Sequence, residues 1–126
     1  MSVIAIRGAI TVEQNDGGQI EQAAAVLLDK IMLDNNLNRE DIVFIIFTST
    51  QDLNSQYPAA GIRKAGLTEV PMLCVSEMPV TGSLTGCIRV MVMANAEVKQ
   101  EVRHVYLKDA KKLRPDLSGW QNSHQE

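Results

Sequence analysis

A chain of 126 residues, 45% of them hydrophobic, is long enough to bury one core, so we expect a single domain. The formal net charge of −3 and the 4% aromatic content argue against a nucleic-acid partner, which requires a clustered basic face and stacking side chains. The longest apolar run, residues 42–47, is too short to cross a membrane, and the N-terminus lacks a signal segment, so we expect a cytoplasmic protein with reduced Cys74 and Cys87.

The first part of the chain predicts a strand, a long helix and a second strand. Residues 3–12 are rich in branched apolar side chains, which is typical of a strand. Asp16 and Gln19 resemble a capping box, and apolar residues then recur at helical spacing as far as Asn35. Residues 42–49 (IVFIIFTS) form a continuous apolar run, which indicates a central strand covered on both faces.

The second part of the chain predicts a short helix and three further strands. A polar loop leads to Pro58, which suits the first turn of a helix, and Gly66 suits its C-terminal cap. The predicted strands are residues 72–76, 88–94 and 102–107, with a glycine-containing turn at residues 81–86. Residues 115–126 are polar, so we expect a partly mobile tail after a domain of residues 1–114.

These elements predict an α+β fold, a five-stranded mixed sheet packed by one long and one short helix. The long helix can cover one face of the sheet, but the short helix is too small to cover the other. We therefore expect the second face to be buried by oligomerisation.

Arginine residues interrupt two of the apolar strands. Because side chains alternate along a strand, Arg7 shares a face with Ala5. By the same alternation, Arg89 shares a face with Met91. An arginine is seldom buried without a partner, so each must form an ion pair, cap backbone carbonyls or bind an anionic ligand. For one arginine alone, an ion pair such as that of Arg89 with Glu77 is the simplest interpretation.

Other polar side chains occur on neighbouring strand segments. Glu77 follows the strand that carries Cys74, and Tyr106 lies within the last strand. Several arginines with one carboxylate and no metal suit a small dicarboxylate ligand, because a guanidinium group binds a carboxylate through two parallel hydrogen bonds. The strand pattern alone leaves open whether these groups converge.

Metal ions and cofactors are not expected. The histidines His104 and His124 form no ligand-spaced cluster with the cysteines. The glycines do not reproduce the spacing of phosphate-binding or dinucleotide-binding loops. If the protein is an enzyme, its side chains alone must carry the chemistry.

The chain resembles the trimeric, Bacillus-type chorismate mutases in a series of separated segments. They are IRGAITVE at residues 6–13, TQDLNSQYPA from residue 50, LCVSEMPVTGSL from residue 73, CIRVMV from residue 87, RHVYL from residue 103 and LRPDL from residue 113. The segments keep the order and spacing of the family over nearly the whole chain, and a chance match to so many is implausible.

The resemblance implies a homotrimer in which three mixed sheets form a pseudo-α/β-barrel, with the long helices outside and an active site at each subunit interface. It also implies an isomerase that converts chorismate to prephenate in phenylalanine and tyrosine biosynthesis. The reaction is an intramolecular Claisen rearrangement that needs neither a metal ion nor a cofactor.

The matched segments imply roles for individual residues. Arg89 resembles the cation that stabilises the ether oxygen, and Glu77 the carboxylate that accepts a hydrogen bond from the ring hydroxyl. Arg7 and Tyr106 resemble the groups that bind one substrate carboxylate, and Cys74 resembles a group that assists at the hydroxyl. The resemblance also implies substrate contacts from Tyr57, Arg63, Leu73, Leu113 and Arg114.

Two positions depart from the family pattern. Ala60 stands where a lysine is frequent, and Leu73 stands where a hydroxyl-bearing residue often precedes the cysteine. We expect these changes to affect substrate affinity more than reaction type. His104 is expected to pack or to hydrogen-bond locally, since the reaction needs no proton transfer.

Two other functions remain open from the sequence. One is an imine deaminase of the small trimeric families with similar architecture, because a shared fold does not fix a function. The other is a trimer that binds carboxylate metabolites without catalysing a reaction. The ordered segments favour the mutase over both.

Overall fold

A computed structural model describes residues 2–96 and 101–115 of the chain. The strands are β1 (Ser2–Thr11), β2 (Ile42–Ser49), β3 (Met72–Ser76), β4 (Cys87–Ala96) and β5 (Val105–Leu107). The helices are α1 (Gly17–Asp34) and α2 (Pro58–Lys64), with short 3₁₀ turns at Arg39–Asp41 and Lys108–Lys112. Apart from Pro115, the expected mobile tail lies outside the described residues.

The strands form one sheet in the order β3-β2-β4-β1-β5. β4 is antiparallel to both of its neighbours, β1 and β2, whereas β3 pairs parallel with β2 and β5 pairs parallel with β1. The predicted five-stranded mixed sheet with one long and one short helix is therefore confirmed. The last strand is shorter than predicted, since it begins at Val105 rather than at residue 102.

α1 begins and ends at side-chain hydrogen bonds. The backbone N–H of Gln19 donates to Asp16 Oδ2 at 3.0 Å, as the predicted cap requires. At the other end, buried Asn35 donates from Nδ2 to the carbonyls of Ile31 and Arg103, each at 2.9 Å. Asn35 Oδ1 in turn accepts from the backbone N–H of Arg103 at 2.8 Å. This side chain therefore attaches the end of α1 to the segment that enters β5.

The backbones of the two helices approach closely at Gly61. A Cβ atom at that position would lie 2.2 Å from the backbone oxygen of Glu21, so only glycine fits without displacing α2 from α1. Next to this contact, Lys64 Nζ lies 3.0 Å from Glu21 Oε1. Both helices contribute to one apolar core on the same face of the sheet, which includes Ile20, Leu27, Ile31, Ala59 and Ile62 with the strand residues Ile6, Ile45, Phe47 and Val92.

The opposite face of the sheet is only partly covered by the described residues of the chain. Ala9, Cys87 and Tyr106 on this face are buried in a second, small cluster with Ala110. Val3, Leu73 and Val75 on this face are 63%, 64% and 46% exposed. The prediction that β2 is covered on both faces is wrong for the single chain, since Phe44 and Ile46 are only half-buried. The reason is that both helices pack on the other face, against Ile45 and Phe47 in the core.

Candidate active site

A cavity of about 380 Å³ lies on the face of the sheet opposite the helices. Strands and connecting segments from both halves of the chain contribute to its wall. The polar residues lining it are Arg7 on β1, Thr48 on β2, Glu77 after β3, Arg89 on β4, Tyr106 on β5 and Arg114 near the end of the described chain, and Leu113 also lines it. These include most of the residues predicted to carry the chemistry.

Strand register explains why these side chains meet. In the antiparallel pairs, Arg89 lies opposite Ala9 of β1 and opposite Thr48 of β2. Ala9 is in turn paired with Tyr106 on β5. Directly paired residues project from the same face of a sheet, so Thr48, Arg89 and Tyr106 share the face opposite the helices. Arg7 lies two residues before Ala9 and joins them by alternation.

Glu77 and Arg89 form the predicted ion pair. Arg89 Nε lies 3.5 Å from Glu77 Oε1, and the Thr48 hydroxyl donates to the same carboxylate oxygen at 2.5 Å. The backbone N–H of Glu77 donates to the carbonyl of Ser49 at 2.9 Å, which fixes the start of the loop after β3. The Arg89 side chain remains 47% exposed, so its guanidinium group can still meet a ligand in the cavity.

The backbone of Arg7 is bound by His104. The Arg7 N–H donates to His104 Nδ1 at 3.0 Å, so the imidazole accepts a hydrogen bond through that nitrogen. Burial lowers the pKa of His104, and the nearby positive charges of Arg7 and Arg114 lower it further. The neutral imidazole therefore accepts a structural hydrogen bond from a neighbouring strand, in agreement with the expectation that His104 bonds to groups close to it in the fold.

Cys87 is buried beside the ion pair. It lines a small adjoining cavity together with Glu77 and Arg89. Burial raises the pKa of the thiol to about 11, an effect that the Arg89 charge only partly opposes. Cys87 is therefore a protonated thiol near neutral pH and is not suited to act as a nucleophile.

The remaining predicted site residues lie elsewhere in the single chain. Cys74 is paired with Phe47, on the face that the helices cover, and it lines a separate cavity of about 600 Å³ together with Tyr57. Arg63 is exposed on α2. Leu73 shares the face of Arg89 but projects from the edge strand β3 and is largely exposed. One chain therefore does not bring these four residues to the Arg89 cavity.

Thr48 is a polar residue of the cavity that the sequence pattern did not indicate as a site residue. It ends the apolar run of β2 and was assigned only to the strand. Strand alternation places it on the face opposite Phe47, which is the signal that would have identified it.

Comparison with known proteins identifies the family to which the chain belongs. A family model described as chorismate mutase type I matches residues 3–117. The chain belongs to the chorismate mutase type I family. It is 46% identical over 118 residues to chorismate mutase AroH of Thermus thermophilus, with 92% of this chain and 97% of that protein covered. It is 42% identical over 125 residues to chorismate mutase AroH of Bacillus subtilis, with 98% of each covered.

A solved structure gives the same result for the fold. The chorismate mutase from Clostridium thermocellum matches with a TM-score of 0.84 and 41% sequence identity, and the match covers 86% of this chain and 98% of that one. Membership of the chorismate mutase type I family gives no support to the imine deaminase that the sequence left open.

No group of three or more His, Cys, Asp or Glu side chains in residues 2–96 and 101–115 is arranged to hold a metal ion. Within the same ranges, no helix combines the length and the apolar character that crossing a membrane requires.

Proposed function

We propose that the protein is a chorismate mutase, an isomerase that converts chorismate to prephenate in phenylalanine and tyrosine biosynthesis. The observation that carries this proposal is one cavity that is lined by Arg7, Arg89, Arg114 and the carboxylate of Glu77, in a chain of the chorismate mutase type I family. Chorismate carries two carboxylates and an ether oxygen. A cluster of guanidinium groups complements the carboxylates and can donate to the ether oxygen.

The reaction requires restraint and charge stabilisation. Chorismate must adopt a compact, chair-like shape before its ether C–O bond breaks and the new C–C bond forms. Binding both carboxylates to fixed cations removes conformational freedom in advance. Negative charge then grows on the ether oxygen, and a cation held beside that oxygen stabilises the transition state more than the ground state.

The charged residues that line the cavity have distinct roles in this proposal. Arg89 is the cation beside the ether oxygen, because it lies on a central strand and its guanidinium group is already oriented by Glu77. Glu77 accepts a hydrogen bond from the ring hydroxyl and offsets positive charge that develops on the ring. Arg7 binds one carboxylate with the help of the Tyr106 hydroxyl, and Arg114, which lines the same cavity beside Leu113, retains the second carboxylate.

We further propose that three chains assemble and that each active site lies between two of them. The sheet face opposite the helices supports this, since its exposed apolar residues need a partner surface. The separation of the predicted residues into two sets supports it as well. Tyr57, Arg63, Leu73 and Cys74 of one chain would complete the Arg89 cavity of its neighbour in the trimer.

The location proposed is the cytoplasm. Cys74 and Cys87 are both free thiols, which is consistent with a reducing compartment.

The proposal is tested with purified protein and chorismate. Loss of the ultraviolet absorbance of chorismate is followed, and prephenate is identified by acid conversion to phenylpyruvate. Saturable formation of prephenate is expected. If the folded protein binds chorismate without turnover, it is a carboxylate-binding protein instead. Sedimentation equilibrium is expected to give three times the mass of the chain, and a monomer with full activity would contradict the shared site.

A further inference from the structure

Thr48 lies between Glu77 and Arg89 in the wall of the cavity. On β2 it is paired with Arg89 of β4 on one side and with Val75 of β3 on the other. Glu77 follows two residues after Val75, and its backbone N–H is bound to Ser49, the next residue after Thr48. The Thr48 hydroxyl therefore lies where the Glu77 side chain, from the loop after β3, meets the Arg89 side chain from β4.

We propose that Thr48 is a positioning residue that sets the orientation of the Glu77 carboxylate. The inference rests on the function proposed above and extends it to a residue outside the predicted set. The Thr48 hydroxyl donates to Glu77 Oε1, and Arg89 Nε approaches the same oxygen. With both contacts on Oε1, the other oxygen, Oε2, is the one presented to a substrate hydroxyl.

The hydroxyl also limits how Glu77 pairs with Arg89. A carboxylate beside a guanidinium group prefers two parallel hydrogen bonds, and that arrangement would occupy two of the arginine donors. Here one N–O contact of 3.5 Å is made, because Thr48 holds the shared oxygen from the β2 side. The Arg89 donors that contact neither Glu77 nor the Cys87 side chain are then available for the ether oxygen. Loss of the hydroxyl lets Glu77 turn and sequester the arginine.

The test uses two substitutions at this position. Thr48→Val keeps the shape of the side chain and removes the hydroxyl, whereas Thr48→Ser keeps the hydroxyl. A hydrogen bond to a charged group is strong enough that Thr48→Val is expected to lower kcat roughly 10-fold or more, with KM changed by less than about 3-fold. Thr48→Ser is expected to remain within about 3-fold of the parent in kcat.

The same substitution in a chain that lacks the Glu77 carboxylate separates a positioning role of Thr48 from a structural role. In a Glu77→Ala chain there is no carboxylate to orient, so adding Thr48→Val is expected to change kcat by less than about 2-fold. Thr68→Val is the matched control, since Thr68 is an exposed threonine between α2 and β3. It is expected to leave kcat unchanged. An equal loss from Thr48→Val with and without Glu77, or equal loss in Thr48→Ser and Thr48→Val, overturns the proposal.

A crystal structure of the Thr48→Val protein provides a readout that does not depend on turnover. The Glu77 carboxylate is expected to rotate and to contact Arg89 through both oxygens. A carboxylate that keeps its single contact to Arg89 Nε overturns the positioning role, even if the parent protein is an active mutase. If the parent protein has no turnover but the carboxylate rotates, the proposed function fails while the positioning role stands.

Discussion

Removal of the Asn35 side chain tests how β5, and with it Tyr106, is held in the site. Asn35 is buried at the end of α1 and makes three hydrogen bonds of 2.8–2.9 Å, two of them to the backbone of Arg103. Arg103 immediately precedes His104 and β5. Asn35→Ala removes all three bonds and leaves the Arg103 N–H and C=O without these partners in a part-buried region.

The expected loss of stability follows from these contacts. Each hydrogen bond contributes about 1 kcal/mol net, so Asn35→Ala is expected to lower the free energy of unfolding by about 3 kcal/mol. Gln22→Ala is the control, because Gln22 is exposed on the same helix, and it is expected to change stability by less than about 0.5 kcal/mol.

Urea denaturation at one protein concentration measures the loss, since the stability of an oligomer depends on concentration. Amide hydrogen exchange then locates it. Faster exchange is expected at Val105–Leu107, because β5 pairs with β1 through only a short parallel ladder. A loss below about 1 kcal/mol, or unchanged exchange in β5, would refute the reasoning that Asn35 anchors this strand.

Three further predictions concern single groups. Gly61→Ala is expected to cost about 2 kcal/mol or more in urea denaturation, since the added Cβ meets the backbone of Glu21; an unchanged midpoint would contradict the close helix contact. Cys87, with its pKa raised from 9.0 to about 11, is expected to react with iodoacetamide about 100-fold more slowly in the native than in the urea-unfolded protein, and equal rates by mass spectrometry would be inconsistent with its burial. Because the pKa of His104 is lowered from 6.5 in the native protein, the unfolded chain binds the imidazole proton more readily than the native chain does. The stability that neutral His104 provides is complete above pH 6.5 and is lost as the pH falls through the lowered pKa. His104→Gln is expected to weaken the fall in the urea midpoint between about pH 7 and pH 5, and an unaltered pH profile would exclude His104 as its source.

The sequence predicted β2 and β3 well because their pattern is local. Residues 42–49 and 72–76 were predicted as strands with the bounds that the structure has, since each is an apolar run between polar or proline-containing segments. The last strand was predicted from residue 102, but Arg103 hydrogen-bonds to the Asn35 side chain and His104 accepts from Arg7 N–H. The backbone groups of Arg103 and the N–H of Arg7 are therefore hydrogen-bonded by side chains rather than by a neighbouring strand. An apolar sequence pattern does not reveal such bonds.

The site was predictable only in part for a related reason. Alternation alone placed Arg7 and Arg89 each on one face of its strand, but their convergence depends on β4 lying between β1 and β2, which is a long-range pairing. Alternation also places Cys74 opposite Leu73, on the other face of β3, although the resemblance suggested one common site. The contact of Thr48 with Glu77 depends on a side-chain orientation after β3 that local sequence does not determine.

Turnover of chorismate by the Arg89→Ala protein is the most direct test of the central claim that Arg89 stabilises charge in the transition state. The substitution is expected to lower kcat by roughly 100-fold or more, as for loss of one preorganised donor to a developing oxyanion, with a smaller effect on KM. Arg39→Ala is the control, since Arg39 donates to the carbonyls of Ala65 and Gly66 outside the cavity. A kcat for Arg89→Ala within about 3-fold of the parent would contradict the account.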